Sequence, residues 1–289
     1  MQKWMVIVLC LILVLPFGMA TFVDPQIISQ FQEENQVKVI IIFKDQIVFK
    51  DQIISEKQLI HNIESIDQNT EITINEVYHF LNGVAASISE NTLKWLRDSN
   101  SIDGVYFDRV YTISPSEESD IQTSISVPVI GATNVQEKYG LSGRNVTVAV
   151  IDTGIDYRHP ALGGCAVLNS TCRVKGGYDF VNNDNNPIDD NGHGTHVAGI
   201  IGANSSTIIG VAPQVTFLAY KVCTSFGSCP ISSILAGVDA AIENRANIIS
   251  VSLGGEEQPN NGQSVLSRAL NEAVERGITV VVAAGNSGS

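Results

Sequence analysis

The chain opens on an apolar run and then changes its hydrophobic spacing twice. After Met1-Gln2-Lys3, the residues from Trp4 to Leu15 are continuously apolar until Pro16 and Gly18 break them. Gly18-Met19-Ala20 then supplies small residues of the kind a signal peptidase reads. The run is too short to span a bilayer comfortably, so an export signal over 1–20 is expected, with no stable membrane anchor. Gln36 to Phe49, Q-V-K-V-I-I-I-F-K-D-Q-I-V-F, predicts a strand and its continuation. Ser55 offers the cap of a helix that carries Leu59, Ile60, Ile63 and Ile66 at helical spacing. Strands at Glu71–Tyr78 and Gly83–Ile88 follow, then a helix opening at Ser89 with Leu93, Trp95 and Leu96, then a strand at Gly104–Val110.

That order, β-α-β-β-α-β, is the split βαβ plan of small α+β ferredoxin-like domains, expected over 21–112. From about Ser114 to Ser126 the residues are mostly Ser, Thr, Asp, Glu and Pro and leave little to bury. A linker and processing region over 113–126 is expected there. Beyond it, strands and helices alternate: strands at 146–151, 216–222, 248–253 and 279–284, and helices from His193, at 231–244 and at 265–276. Strands this apolar, interleaved with helices, predict an α/β fold with a parallel sheet covered on both faces, occupying 127–289.

Composition narrows the function classes. A length of 289 residues suits about two domains, and 44% hydrophobic against 16% charged residues allows a sizeable core. The formal charge of -13 argues against nucleic acid as a partner, which would need clustered Lys and Arg. With Cys10 inside the export signal, an even set remains: Cys165, Cys172, Cys223 and Cys229. Four cysteines permit three connectivities. Local closure, Cys165–Cys172 and Cys223–Cys229, is the simplest, with free thiols or a four-cysteine zinc site as the alternatives. Zinc usually recruits pairs two to four residues apart, and these are wider.

Two segments carry chemistry. Val148-Ala149-Val150-Ile151-Asp152-Thr153-Gly154 delivers a carboxylate at the C-terminal end of a buried strand, where open α/β sheets place their sites. Alone, D-T-G also fits an aspartic protease or a helix cap. An aspartic protease needs a second carboxylate sharing the proton, and no second D-T-G exists in the chain. Asn191-Gly192-His193-Gly194-Thr195-His196-Val197-Ala198-Gly199 sets a histidine between glycines at the start of an apolar helix. A general base needs such access and a carboxylate on its other nitrogen to fix the tautomer. His196 makes a metal pair conceivable, but the glutamate and third ligand of a zincin are absent. It is read as structural, as are His61, His79 and His159.

I-D-T-G-I-D, N-G-H-G-T-H-V-A-G, G-V-A-P, S-L-G-G and A-A-G-N-S-G, in that order, resemble the successive signature blocks of the subtilisin family from about Ile130 onward. The preceding part resembles that family's inhibitory propeptide. The resemblance implies a secreted serine endopeptidase precursor working through a Ser-His-Asp triad and an acyl-enzyme. Asp152 would orient the base, His193 would accept the serine proton and Asn286 would donate to the oxyanion. Ser252-Leu253-Gly254-Gly255 would pair with the substrate backbone, and Ala283-Ala284-Gly285 would form part of the primary specificity pocket. The implied partners are polypeptide substrates and the chain's own propeptide in cis. The family's nucleophile lies in a G-T-S-M-A segment that this sequence does not contain. A truncated precursor, inactive alone, is therefore expected. A subtilase-like binding fragment without activity is the competing function, and an aspartic protease dimer built on Asp152 is a third.

The stretch Tyr178 to Asp190, Y-D-F-V-N-N-D-N-N-P-I-D-D, is dense in oxygen ligands. It resembles the calcium loop of thermitase-like members of the family. There Asp179, Asn182, Asp184, Asn186 and the Ile188 carbonyl would fall on ligand positions for a structural calcium, with a solvated Asn/Asp turn as the alternative. No cofactor is implied for catalysis.

Overall fold

A computed structural model describes residues 21–44, 71–113, 127–254 and 264–285. The expected export signal, the helix near Ser55 and nearly all of the linker lie outside these residues.

The first sheet is built from β1 (Phe22–Val23), β2 (Val37–Phe43), β3 (Ile72–Tyr78), β4 (Gly83–Ile88) and β5 (Ile102–Phe107). Its order is β1-β5-β2-β4-β3. The four longer strands pair antiparallel throughout, and β1 adds parallel to β5. This is the strand order of a split βαβ unit. Among the described residues two helices accompany it, α1 (Pro25–Gln30), capped by Asp24, and α2 (Glu90–Asp98), capped by Ser89 as its sequence predicts.

β2 is buried almost end to end because it faces two cores. Side chains alternate across a strand, so Val37, Val39, Ile41 and Phe43 pack with Ile27, Leu93 and Leu96. Ile40 and Ile42 point the other way, into a cluster with Ile231, Leu235 and Leu266 from the following part of the chain.

That part holds β7 (Thr147–Asp152), β8 (Val174–Asp179), β9 (Thr216–Lys221), β11 (Ile248–Val251) and β12 (Thr279–Val282) in a second sheet. The sheet is parallel, ordered β12-β11-β7-β9-β8. Helices α3 (Ala132–Tyr139), α4 (His193–Gly202), α5 (Ile231–Glu243) and α6 (Val265–Glu275) complete it. Central β7 sends Val148 and Val150 to one core and Ala149 and Ile151 to another, the two-sided burial expected of a parallel strand. The predicted strands and helices of this half fall within about two residues of those observed. β1, α1, α3, β8 and a short strand at Ser228–Pro230 were not foreseen.

The strand expected over Gly104–Val110 is a correction. β5 ends at Phe107, and a separate β6 (Val110–Thr112) pairs antiparallel with β10 (Ser228–Pro230), which flanks the second sheet. The break falls at Asp108, whose carboxylate leaves the sheet to accept the Ser232 N–H (2.8 Å) and hydroxyl (2.7 Å). α5 begins after Pro230, which has no capping side chain. An acidic group from the first sheet supplies that acceptor at the positive end of the helix. Asp239, on the same helix, accepts the His79 (3.0 Å) and Phe80 (2.9 Å) backbone N–H groups. The cysteines close locally, Cys165–Cys172 and Cys223–Cys229. Among the described residues no helix is long and apolar enough to cross a membrane.

Candidate active site

The C-terminal rim of the second sheet gathers the chemistry. Asp179, Lys221 and Asp152 are neighbours in register across β8, β9 and β7. Ser252 and Ala283 each follow a strand at the same level, since Val251 pairs with both Ile151 and Val282.

Asp152 is completely buried. Its Oδ1 accepts the Thr153 N–H (2.7 Å) and lies 2.7 Å from His193 Nδ1. A carboxylate only accepts, so the proton sits on Nδ1 and Nε2 is left as the basic nitrogen. Oδ2 of Asp152 receives no hydrogen bond from the described residues. His193 is the first residue of α4 and its side chain is 21% exposed, which leaves the imidazole reachable. Its hydrogen bond to Asp152 raises its pKa above the ordinary histidine value. Partial burial opposes the rise, and the charges of Asp152 and Asp189 add to it.

Strand end and helix start meet at close quarters. A Cβ on Gly194 would stand 2.1 Å from the Gly154 carbonyl oxygen and 3.1 Å from Asp152 Cβ. Gly154 itself turns at φ +109°, and a Cβ there would meet the Pro187 carbonyl at 2.6 Å. Glycine is required at both positions for the imidazole to reach the carboxylate.

Of the other residues singled out from sequence, Ser252 is half-buried, Leu253 is buried and Gly254 is exposed just past β11, while Ala283, Ala284 and Gly285 are exposed past β12. Gly255 and Asn286 lie outside the described residues. His159 Nδ1 accepts the Ala161 N–H, capping a short 3₁₀ turn.

The candidate calcium loop closes on its own donors. Asp179 is buried, with Oδ1 accepting the Val181 and Asn182 N–H groups and Oδ2 accepting the Asn182 amide. Asn186 Oδ1 accepts the Tyr157 hydroxyl, and Asp184 Oδ1 accepts the Asn186 N–H. Among the described residues no group of three His, Cys, Asp or Glu side chains converges as a metal site. The expected ligand residues Asp179, Asn182, Asp184 and Asn186 thus share one loop that is held in shape by these hydrogen bonds.

Three features escaped the sequence reading. Lys221, almost wholly buried, ends β9 beside Asp152. Asp189 faces the first turn of α4. The edge Ser228–Pro230, tied to the end of β9 by Cys223–Cys229, is the one that accepts an incoming strand, with Tyr111 opposite Cys229. The lone lysine in T-F-L-A-Y-K-V-C and the doubled Asp before N-G-H-G were the visible signals.

A family model described as Peptidase_S8, subtilase family, matches residues 143–289. Subtilisin E of Bacillus subtilis (strain 168) is 36% identical over 219 residues, covering 75% of this chain and 52% of its own. Subtilisin DY of Bacillus licheniformis is 42% identical over 165 residues, 56% of this chain and 55% of its own. The minor extracellular protease Vpr of Bacillus subtilis (strain 168) is 34% identical over 231 residues, 74% of this chain and 27% of its own. The chain spans about half the length of the subtilisins it matches.

Proposed function

The chain belongs to the subtilase family, and from that membership and the Asp152–His193 pair we propose that it forms part of a secreted serine endopeptidase precursor. The observation that carries the proposal is the 2.7 Å contact between a fully buried carboxylate and a partly exposed imidazole. With Nδ1–H held by Asp152, Nε2 of His193 takes the proton from a serine hydroxyl as that oxygen attacks the scissile carbonyl. Asp152 then stabilises the imidazolium that forms, and His193 passes the proton to the leaving amine. Asn286 is the proposed oxyanion donor, and the residues after β11 and β12 the proposed substrate contacts.

The nucleophile belongs to a G-T-S-M-A segment absent from these 289 residues. The polypeptide alone is proposed to be inactive, becoming competent when its chain includes that segment. Residues 21–112 are the proposed propeptide. The antiparallel pairing of Val110–Thr112 with Ser228–Pro230 supports a strand tail that occupies the substrate edge until it is cut.

The test is to express the gene product with its nucleophile segment, follow hydrolysis of an unstructured polypeptide, and challenge it with a serine-directed organophosphate. Hydrolysis abolished by the organophosphate and by His193→Ala is expected. Hydrolysis that survives both changes would overturn the assignment. N-terminal sequencing of the secreted form should find a start beyond residue 112.

A further inference from the structure

The peptidase reading uses Asp152 and His193 but gives no task to the two carboxylates just before the histidine, Asp189 and Asp190. We propose that Asp189 is a positioning residue, which holds the turn after Asp152 against the first turn of α4 and so seats the His193 ring on its carboxylate partner. The proposal deepens the peptidase reading and rests on it for the meaning of that seating.

Asp189 receives five hydrogen bonds from both sides of the junction. Its Oδ1 accepts the Thr153 hydroxyl (2.9 Å), the Asn191 N–H (3.0 Å) and the Gly192 N–H (2.9 Å). Its Oδ2 accepts the Thr195 N–H (2.9 Å) and hydroxyl (2.6 Å). Each threonine hydroxyl that donates to this carboxylate also accepts from the opposite segment. Thr153 Oγ1 takes the Gly194 N–H (2.9 Å), and Thr195 Oγ1 takes the Asp156 N–H (2.8 Å). The residue after Asp152 is therefore bonded to the residue after His193, and the residue two past His193 to the loop beyond Asp152. One carboxylate completes both links.

The chemistry requires an anion. Both oxygens of Asp189 face only donors, and an amide in its place would turn an NH₂ group toward donors on one side. Among the described residues, the charged groups facing His193 are Asp152 from β7 and Asp189 from the loop before α4. The next carboxylate, Asp190, is paired with the Lys221 ammonium.

A purely structural cap would cost stability when lost but would leave the ring's bond to Asp152 intact. The distinguishing experiment is NMR of the 289-residue chain with isotope-labelled histidine, which reads the His193 titration and its low-field Nδ1 proton. The signal is assigned among the five histidines by His193→Gln. Asp189→Asn should lower the titration midpoint by about half a unit or more and weaken the low-field resonance. Asp156→Asn, which removes a nearby carboxylate paired with Arg158, should change neither. Thr153→Val keeps the Asp189 charge but cuts the link, and should weaken the low-field resonance even if Asp189→Asn fails to fold. A folded Asp189→Asn or Thr153→Val chain with the wild-type resonance and midpoint would overturn the proposal, whatever its melting temperature. None of these readouts needs peptide hydrolysis, so loss of the peptidase assignment and loss of this one are told apart.

Discussion

Lys221 stands beside Asp152 in register, yet its ammonium does not pair with that carboxylate. Its three N–H donors go to the Thr153 carbonyl (3.0 Å), the Cys223 carbonyl (2.9 Å) and Asp190 Oδ1 (2.5 Å). Asp152 is thereby left to the imidazole, and the chain ends of β7 and β9 are held at fixed separation.

Replacing Lys221 by Met tests this clamp. Two buried carbonyls lose their donor and Asp190, about half exposed, keeps only water. A loss of about 3 kcal/mol is expected by chemical denaturation. The His193–Asp152 hydrogen bond should persist in the folded fraction, seen by the imidazole's NMR signal.

The pH dependence follows from the sign of the histidine shift. His193 has its pKa raised above 6.5, first by its hydrogen bond to Asp152. The stability this contributes is fully present below the unfolded value and is lost as pH rises through the folded one. In the proposed mechanism the neutral ring is the base, so kcat/KM of a chain that includes the nucleophile segment should climb through that same higher value. An acid limb with its midpoint above 6.5 in a pH–rate profile is the expected result.

Gly194→Ala should act by shape alone, with no polar side chain altered. The added methyl would overlap the Gly154 carbonyl, and backbone atoms cannot turn aside as a side chain can. The strand end and helix start must separate, at a cost of about 3 kcal/mol in thermal or denaturant unfolding. Ring and carboxylate should move out of contact in whatever fraction still folds.

Asp152→Asn should leave the fold nearly unchanged while turning the histidine into the wrong tautomer. In the chain that includes its nucleophile segment, a fall of about ten-thousand-fold in kcat with a small change in KM is expected from steady-state kinetics.

How much of this was legible depends on where the cause lay. Asp152 and His193 could be found because each sits in a local pattern, a buried strand ending in D-T-G and a glycine-flanked histidine opening an apolar helix. Their partners could not. Asp189 reaches Thr153 across 36 positions of sequence, and Lys221 is beside Asp152 only once β7 and β9 pair in register. The same applies to Asp108, where local β propensity continues to Val110 but an uncapped helix more than 120 residues later draws the carboxylate out of the strand. In the Tyr178–Asp190 stretch the density of oxygen ligands was legible, but not that Asp179 would accept the Val181 and Asn182 backbone N–H groups and the Asn182 amide.

The two-sided burial of β2 gives adjacent residues separate constituencies. Ile41 answers to the helices of its own sheet, whereas Ile40 answers to α5 and α6. Selection can therefore retune how tightly the N-terminal unit grips its neighbour by drifting at even-numbered positions alone. The odd-numbered ones keep that unit foldable meanwhile, so the strength of its contact and its own integrity are free to diverge along a lineage.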